Sequence, residues 1–243
     1  MTAQTIFVTG TDTGVGKTHV ACAMLRKLVA SKRKVCGFKP VASGCDRTKQ
    51  GLRNADALAL QSAAQTDEPY ELINPYALEQ PIAPHLAAAA MGERISVLKL
   101  REAHAQLATR YGVIVAEGAG GWRVPLDESW TMAEFVGEQE WPVVLVVGMR
   151  LGCINHALLS ADAVMRSTRL IGWVANVLPP MMDALLENIE TLEAHLSAPL
   201  LGIVPGNGDV KAAAKALDLA PLLQSFGASA PQTSLTRASR PQA

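Results

Sequence analysis

An α/β fold, doubly wound around a mostly parallel sheet, is what the residue pattern predicts, and three observations predict it. Short apolar runs alternate with longer helix-like segments along most of the chain. Those runs are rich in Val and Ile without strict alternation, as strands buried on both faces of a parallel sheet require. The first of them feeds a glycine-rich loop that opens a helix, "TGTDTGVGKT" at 9–18. At 243 residues and 49% hydrophobic, the chain has the length and apolar content for one such domain.

Taken in order, the strands are expected at 5–9 "TIFVT", 35–39 "VCGFK", 112–116 "GVIVA", 143–148 "VVLVVG", 170–176 "LIGWVAN" and 201–204 "LGIV". The helices between them are expected at 17–31, 55–64, 96–110, 155–166 and 181–196, where apolar residues recur at helical spacing. Segment 67–86, "DEPYELINPYALEQPIAPHL", is Pro-rich and reads as an ordered loop over one edge. No repeat or composition shift divides the chain, so residues 1–226 are expected to form one domain. Residues 227–243, small and polar, read as a disordered tail. In such a fold ligands gather at the carboxyl ends of the strands.

The formal net charge of +0 argues against a nucleic-acid or membrane-surface partner, which usually leaves a basic excess. The longest strongly apolar piece, "PVVLVVGM" at 142–149, is strand-sized rather than membrane-spanning. The N-terminus shows no export signal. Cys22, Cys36, Cys45 and Cys153 are scattered without metal-ligand spacing, as expected for reduced thiols of a soluble cytoplasmic protein.

The loop at 9–18 carries the chemistry. A phosphate-binding loop needs glycines so that backbone N–H groups turn inward on oxygens. It also needs a Lys for the β- and γ-phosphates and a hydroxyl for magnesium. Gly14, Gly16, Lys17 and Thr18 supply these, and the following helix adds its positive end. The fold expected is therefore of the P-loop NTPase kind. The usual spacing would put a glycine at 11, but Thr11 stands there and the upstream glycine is Gly10. Septum-site and plasmid-partition ATPases place an extra lysine where this chain has Asp12, which argues against a dimer-activated motor of that type.

Further polar residues fall at strand ends. Lys39 closes "GFK", where a parallel strand delivers side chains to the ligand crevice, although a lysine before Pro is also a common boundary residue. Ser43 follows in a small-residue turn as a candidate donor to substrate. Glu117 ends "GVIVA" and precedes "GAGG", so an acid meets the crevice beside glycines. Asp56 begins a helix-like run, as a metal ligand or as a plain first-turn acid. Thr18, Asp56 and Glu117 make a hard, all-oxygen set suited to Mg²⁺ rather than zinc. No adjacent Ser–His or Cys–His pair suggests a covalent nucleophile. His85 reads as a packed loop histidine, and Cys153 as packed or as a thiol activated at a helix start.

With these residues in view, the chain resembles the dethiobiotin synthetase family over roughly residues 4–205. The markers are "VTGTDTGVGKT", "GFKPVASG", "NPYALEQPIAPH", "VAEGAGGWRVPL", "VVLVVGMRLGCINHALLS" and "GWVANVLPP", in that order. The resemblance implies a ligase that uses ATP and Mg²⁺ to join CO₂ to 7,8-diaminononanoate and close a cyclic urea. It proceeds through a carbamate and a carbamic–phosphoric anhydride. By the same resemblance Lys17 and Lys39 would flank the carbamate and γ-phosphate, and Thr13 and Ser43 would bond the carbamate or diamine. The nucleotide would lie on Gly14, Val15, Gly16, Lys17, Thr18 and His19, and along Glu117, Gly118, Ala119 and Gly120. Asn176, beside Val177, would read adenine, which Pro205, Gly206 and Asn207 would also approach. The helix-opening amides of Leu151, Gly152, Cys153, Ile154 and Asn155 would hold the substrate's tail carboxylate, reaching across a homodimer.

Two departures stand out. Gly14 occupies a place where some family members have Glu, and past "LGIVP" no clear acid offers itself to the ribose, Asp209 being the weak candidate. The alternatives are a cobyrinate-amidation-type ligase, which would need a glutaminase domain the chain has no room for, and a non-catalytic nucleotide switch. The switch would bind nucleotide without substrate-dependent turnover and would leave Lys39, Ser43 and "PIAPH" unexplained.

Overall fold

Every apolar run expected to be a strand is one, and all but the last, at Leu200–Val204, are buried along almost their whole length. The structure, a computed structural model, describes residues 3–206 and 208–225. In chain order the elements are β1 (Gln4–Gly10), α1 (Lys17–Ala30), β2 (Val35–Phe38), β3 (Val41–Ser43), β4 (Asp46–Thr48), β5 (Gly51–Arg53), α2 (Ala55–Ala64), α3 (Tyr70–Ile73), β6 (Tyr76–Leu78) and α4 (Pro84–Ala90). Then follow α5 (Val97–Ala108), β7 (Val113–Glu117), α6 (Met132–Glu138), β8 (Val143–Met149), α7 (Cys153–Met165), β9 (Leu170–Val177), α8 (Leu185–His195), β10 (Leu200–Val204), α9 (Val210–Ala216) and α10 (Ala220–Ser225).

Six strands form one parallel sheet in the order β10-β9-β8-β1-β7-β2. The chain leaves β1 for the β2 edge, returns to β7 beside β1, then crosses to β8 on the other flank. That reversal puts the loop after β1 at the switch point, where a parallel sheet opens a crevice. Alternate residues of β1 feed opposite cores. Phe7 packs with Phe38, Ile114, Leu100 and Phe135 on one face. Ile6 and Val8 pack with Val20, Leu25, Leu60 and Leu222 on the other. A third cluster joins β8 and β9 to α7 and α8 through Leu145, Trp173 and Ile189.

The Pro-rich segment does cover the β2 edge, as expected, but it is not a bare loop. It holds α3, β6 and the start of α4, and β6 pairs with β3 in a small parallel sheet. These pieces run four, three and seven residues, too short to show a period in the sequence. The tail at 227–243 lies outside the described residues. Among the described residues no helix is long and apolar enough to cross a membrane.

Candidate active site

The loop after β1 wraps the start of α1. Gly14 and Gly16 take positive φ, 74° and 89°, which only glycine adopts without strain. The displaced upstream glycine has a steric cause. A Cβ on Gly10 would come within 2.6 Å of Val15 Cγ2 and 2.9 Å of Lys17 Cγ, so the bare residue is needed at 10, under the lysine stem. Thr11 tolerates a side chain, and its N–H continues the sheet pattern to the Val146 carbonyl. Lys17 Nζ donates to the Asp12 carbonyl at 2.9 Å. The Asp12 carboxylate accepts from Thr13 N–H at 2.7 Å and from Arg150 Nη2 at 2.6 Å.

Sheet register brings the second lysine and the acid together. Phe38 pairs with Ala116, so Lys39 and Glu117 follow side by side at the ends of β2 and β7. Lys39 Nζ donates to Glu117 Oε1 at 2.7 Å, to Asp56 Oδ2 at 3.0 Å and to the Gly118 carbonyl at 3.2 Å. Thr18 Oγ1 donates to the same Glu117 oxygen at 2.8 Å. Asp56 stands in the first turn of α2, whose cap Asn54 accepts from the Asp56 and Ala57 N–H groups.

Charge follows from this packing. Burial is the strongest single influence on Lys39 and pushes its pKa down, yet Glu117 and Asp56 together outweigh it and hold the ammonium above the ordinary lysine range. Burial likewise pushes Asp56 up, and the Lys39 ammonium more than offsets it, leaving the carboxyl below its usual range. Lys17 is lowered, first by burial and then by the positive charge of Lys39. Two buried cations that repel each other at the mouth of a phosphate loop are relieved by a polyanion placed between them.

The hydroxyl and two carboxylates assigned to magnesium do meet: Thr18 and Asp56 both face the Lys39–Glu117 contact. Glu117 is fully buried, and its Oε2 has no hydrogen-bond partner among the described residues. An orphaned carboxylate oxygen beside a hydroxyl and a second carboxylate fits a hard divalent cation. No group of three or more His, Cys, Asp or Glu gathers among the described residues.

The structure places the other expected residues as follows. Ser43 Oγ ends β3 buried and without a partner among the described residues. A Cβ on Gly120 would stand 3.8 Å from Thr13 Oγ1, so the glycine run after Glu117 borders the loop. Asn176, the penultimate residue of β9, is buried, with Nδ2 donating to the Val15 carbonyl at 2.8 Å. Gly206 lies against Val177, where a Cβ would meet the carbonyl at 2.5 Å. His19 lies half-buried in the first turn of α1, and Asn207 is outside the described residues. Leu151 is 97% exposed, Gly152 caps α7 at φ 93°, and Cys153 is buried as the first helical residue. The helix here starts two residues earlier than the pattern predicted. Asp209 spends an oxygen capping α9 through Ala212 N–H.

Sequence reasoning missed Arg150 and Asn54. Arg150 ties the loop before α7 to Asp12, a contact that depends on β8 lying beside β1. Asn54 was legible in principle, since Asn directly before an apolar helical run is a capping signal.

Residues 4–214 match a family model described as an AAA domain. The chain is 48% identical over 220 residues to a protein of Xanthomonas oryzae pv. oryzae (strain PXO99A) named ATP-dependent dethiobiotin synthetase BioD, covering 90% of this chain and 98% of that one. A protein of the same name from Cellvibrio japonicus is 48% identical over 226 residues, covering 92% and 99%. Among solved structures, the MinD cell division protein of Aquifex aeolicus superposes with a TM-score of 0.54 at 15% identity, covering 95% of this chain and 100% of that one, a likeness of fold alone.

Proposed function

The chain belongs to the ATP-dependent dethiobiotin synthetase family, ligases that form a C–N bond, and from that premise we propose how its residues divide the work. The substrates are 7,8-diaminononanoate, CO₂ and ATP, and the site is that of a soluble cytoplasmic enzyme acting as a homodimer. One amine adds to CO₂ and loses a proton, giving a carbamate. A carbamate oxygen attacks the γ-phosphorus, the bond to the β–γ bridging oxygen breaks, and ADP leaves. The second amine then attacks the carbamoyl carbon and loses a proton as phosphate departs, and the cyclic urea closes.

The observation that carries this reading is the closeness of Lys39 to the loop lysine Lys17, near enough for its charge to lower the Lys17 pKa, with Ser43 Oγ without a partner among the described residues. Lys17 leaves the Asp12 carbonyl to meet phosphate oxygens. Lys39, held charged by Glu117 and Asp56, faces the carbamate and the transferring phosphoryl group, where negative charge moves from one set of oxygens to another. Thr13 and Ser43 hold the carbamate and diamine so that the attack is nearly unimolecular. Asn176 and Val177, with Pro205 to Asn207, take the adenine end. The amides of 151–155 hold the tail carboxylate. Thr18, Asp56 and Glu117 would hold Mg²⁺, which supplies charge neutralisation on the triphosphate when bound.

The test is incubation with Mg-ATP, bicarbonate and the diamine, following ADP release and product mass. ADP release that needs both bicarbonate and diamine, with a product equal to the diamine plus CO minus two hydrogens, supports the reading. ADP released without the diamine, or none at all, sinks it.

A further inference from the structure

Behind the reacting residues lies a second polar system that none of the steps above uses. Asn74 is 2% exposed, and its amide is fully engaged. Nδ2 donates to the Lys39 carbonyl at 2.7 Å and to the Tyr76 carbonyl at 3.1 Å. Those two acceptors fix which end of the amide is nitrogen, so Oδ1 must face the Tyr70 hydroxyl, which donates to it at 2.9 Å. The same hydroxyl accepts from the Asn54 N–H at 2.7 Å. Asn54 then caps α2 through the Asp56 N–H at 3.0 Å, and Asp56 accepts from Lys39 Nζ at 3.0 Å. The chain of bonds closes on itself: it leaves Lys39 through the backbone carbonyl and returns to Lys39 through the side-chain nitrogen. A further bond, from Lys39 N–H to the Ile73 carbonyl at 2.7 Å, pins the same residue to α3.

We infer that Tyr70 and Asn74 are positioning residues that set Lys39 and Asp56 in register for phosphoryl transfer. The inference rests on the proposed reaction for the role of Lys39, and it adds residues that none of the proposed steps uses. Two elements must agree for the Lys39 ammonium to be held in place: the end of β2, which carries its backbone, and the first turn of α2, which carries Asp56. No backbone hydrogen bond joins them among the described residues, and beside the Lys39–Asp56 contact itself the Tyr70 hydroxyl with the Asn74 amide forms a buried polar bridge between them. Buried polar groups of this kind are costly when half satisfied, and here every one in the circuit has its partner. Arg53 lies 4.2 Å over the Tyr70 ring and fixes its plane from outside. The segment "YELINPY" thereby has a use beyond covering a sheet edge.

The test is Tyr70→Phe, which keeps the ring and removes one oxygen with two hydrogen bonds. Its control is Tyr111→Phe, which likewise loses hydroxyl contacts, to Thr66 and Glu68, away from the ammonium. Displacing a reacting group by a fraction of an ångström to an ångström costs up to about 100-fold in rate. Y70F is expected to lower kcat roughly 10- to 100-fold with KM for ATP within about twofold, while Y111F keeps wild-type kcat whatever its melting temperature. In an Asp56→Ala background, where the circuit is already open, Y70F is expected to add little further loss. Equal kcat for Y70F and Y111F, or full additivity with D56A, overturns the inference. Hydrogen exchange at the Asn54 amide needs no substrate: acceleration in Y70F but not Y111F supports the circuit, and unchanged exchange overturns it. Failure of the reaction itself would show separately, in the wild type, as ADP release indifferent to the diamine.

Discussion

Lys39 Nζ and Glu117 Oε1 stand 2.7 Å apart, with the two side chains only 4% and 1% exposed. A pair so far from solvent is a poor source of stability, because each charge has given up its hydration to be there. Its value lies in a cation whose position is over-determined. Lys39→Met should reduce turnover by at least about 1,000-fold, since it removes a preorganised charge at the transferring group, while ATP binding by calorimetry survives. The same change strands the Glu117 carboxylate and should cost about 3–5 kcal/mol of stability. Adding Glu117→Gln should restore much of that stability and none of the turnover. Near-normal turnover in K39M would take Lys39 out of the chemistry.

Asn176 has two possible connections to the nucleotide, and its geometry separates them. Its amide nitrogen supports the Val15 carbonyl from 2.8 Å, and a Cβ on Gly16 would reach within 2.2 Å of that nitrogen. Asn176→Ala should therefore weaken ATP binding by about tenfold or more through loss of a buried donor. If the amide also reads adenine, the preference for ATP over GTP falls with it. An equal loss for both nucleotides would confine Asn176 to loop support, and an unchanged affinity would remove it from the site.

The four cysteines should be silent in the native protein. All are buried, and burial pushes the Cys22 and Cys36 thiols up to about 12 and raises Cys45 as well. Cys153 heads α7, where a helix start can activate a thiol, but it is packed among Val147, Met149 and Trp173 with 2% exposure. An aromatic disulfide reagent at pH 8 should release no chromophore until denaturant is added, then four equivalents. Rapid native reaction of one thiol would point to local opening at that residue.

The residues proposed to act on the substrates were legible because their signals are local. An apolar run ending in Lys39 or Glu117 places the side chain at the crevice once the sheet is parallel, and Gly16-Lys17-Thr18 announces itself by spacing. The elements that orient them were not legible. Tyr70 opens a helix of four residues that Asn74 ends, and their partners Asn54 and Lys39 lie 16 and 35 residues away, so nothing in the local pattern distinguishes a circuit from a loop. Arg150 meets Asp12 across 138 residues only because β1 and β8 are neighbours. The Gly10 displacement was visible in sequence, but its cause, the Lys17 stem lying over that position, is a packing fact.

His104 ties acid sensitivity to the core rather than to the site. Its Nε2 shares a hydrogen bond with Thr5 Oγ1 at 2.8 Å, and its ring lies 4.4 Å from that of Trp141 and 5.8 Å from that of Phe38. Burial alone pushes its pKa down, from 6.5 to about 4. Between those values the unfolded chain takes up a proton that the folded chain refuses. Stability therefore rises with pH through this window and is lost as pH falls from 6.5 toward 4. The shift amounts to roughly 3 kcal/mol lost by pH 4 from this residue. His104→Phe keeps an aromatic ring against Trp141 and removes the titration. It gives up the Thr5 bond at every pH, a loss of about 1 kcal/mol, so the variant starts lower at pH 7 but declines less steeply. Urea unfolding of both proteins at intervals from pH 7 to pH 4 gives the two slopes. Parallel curves would mean that His104 protonates in the folded core as readily as in the open chain.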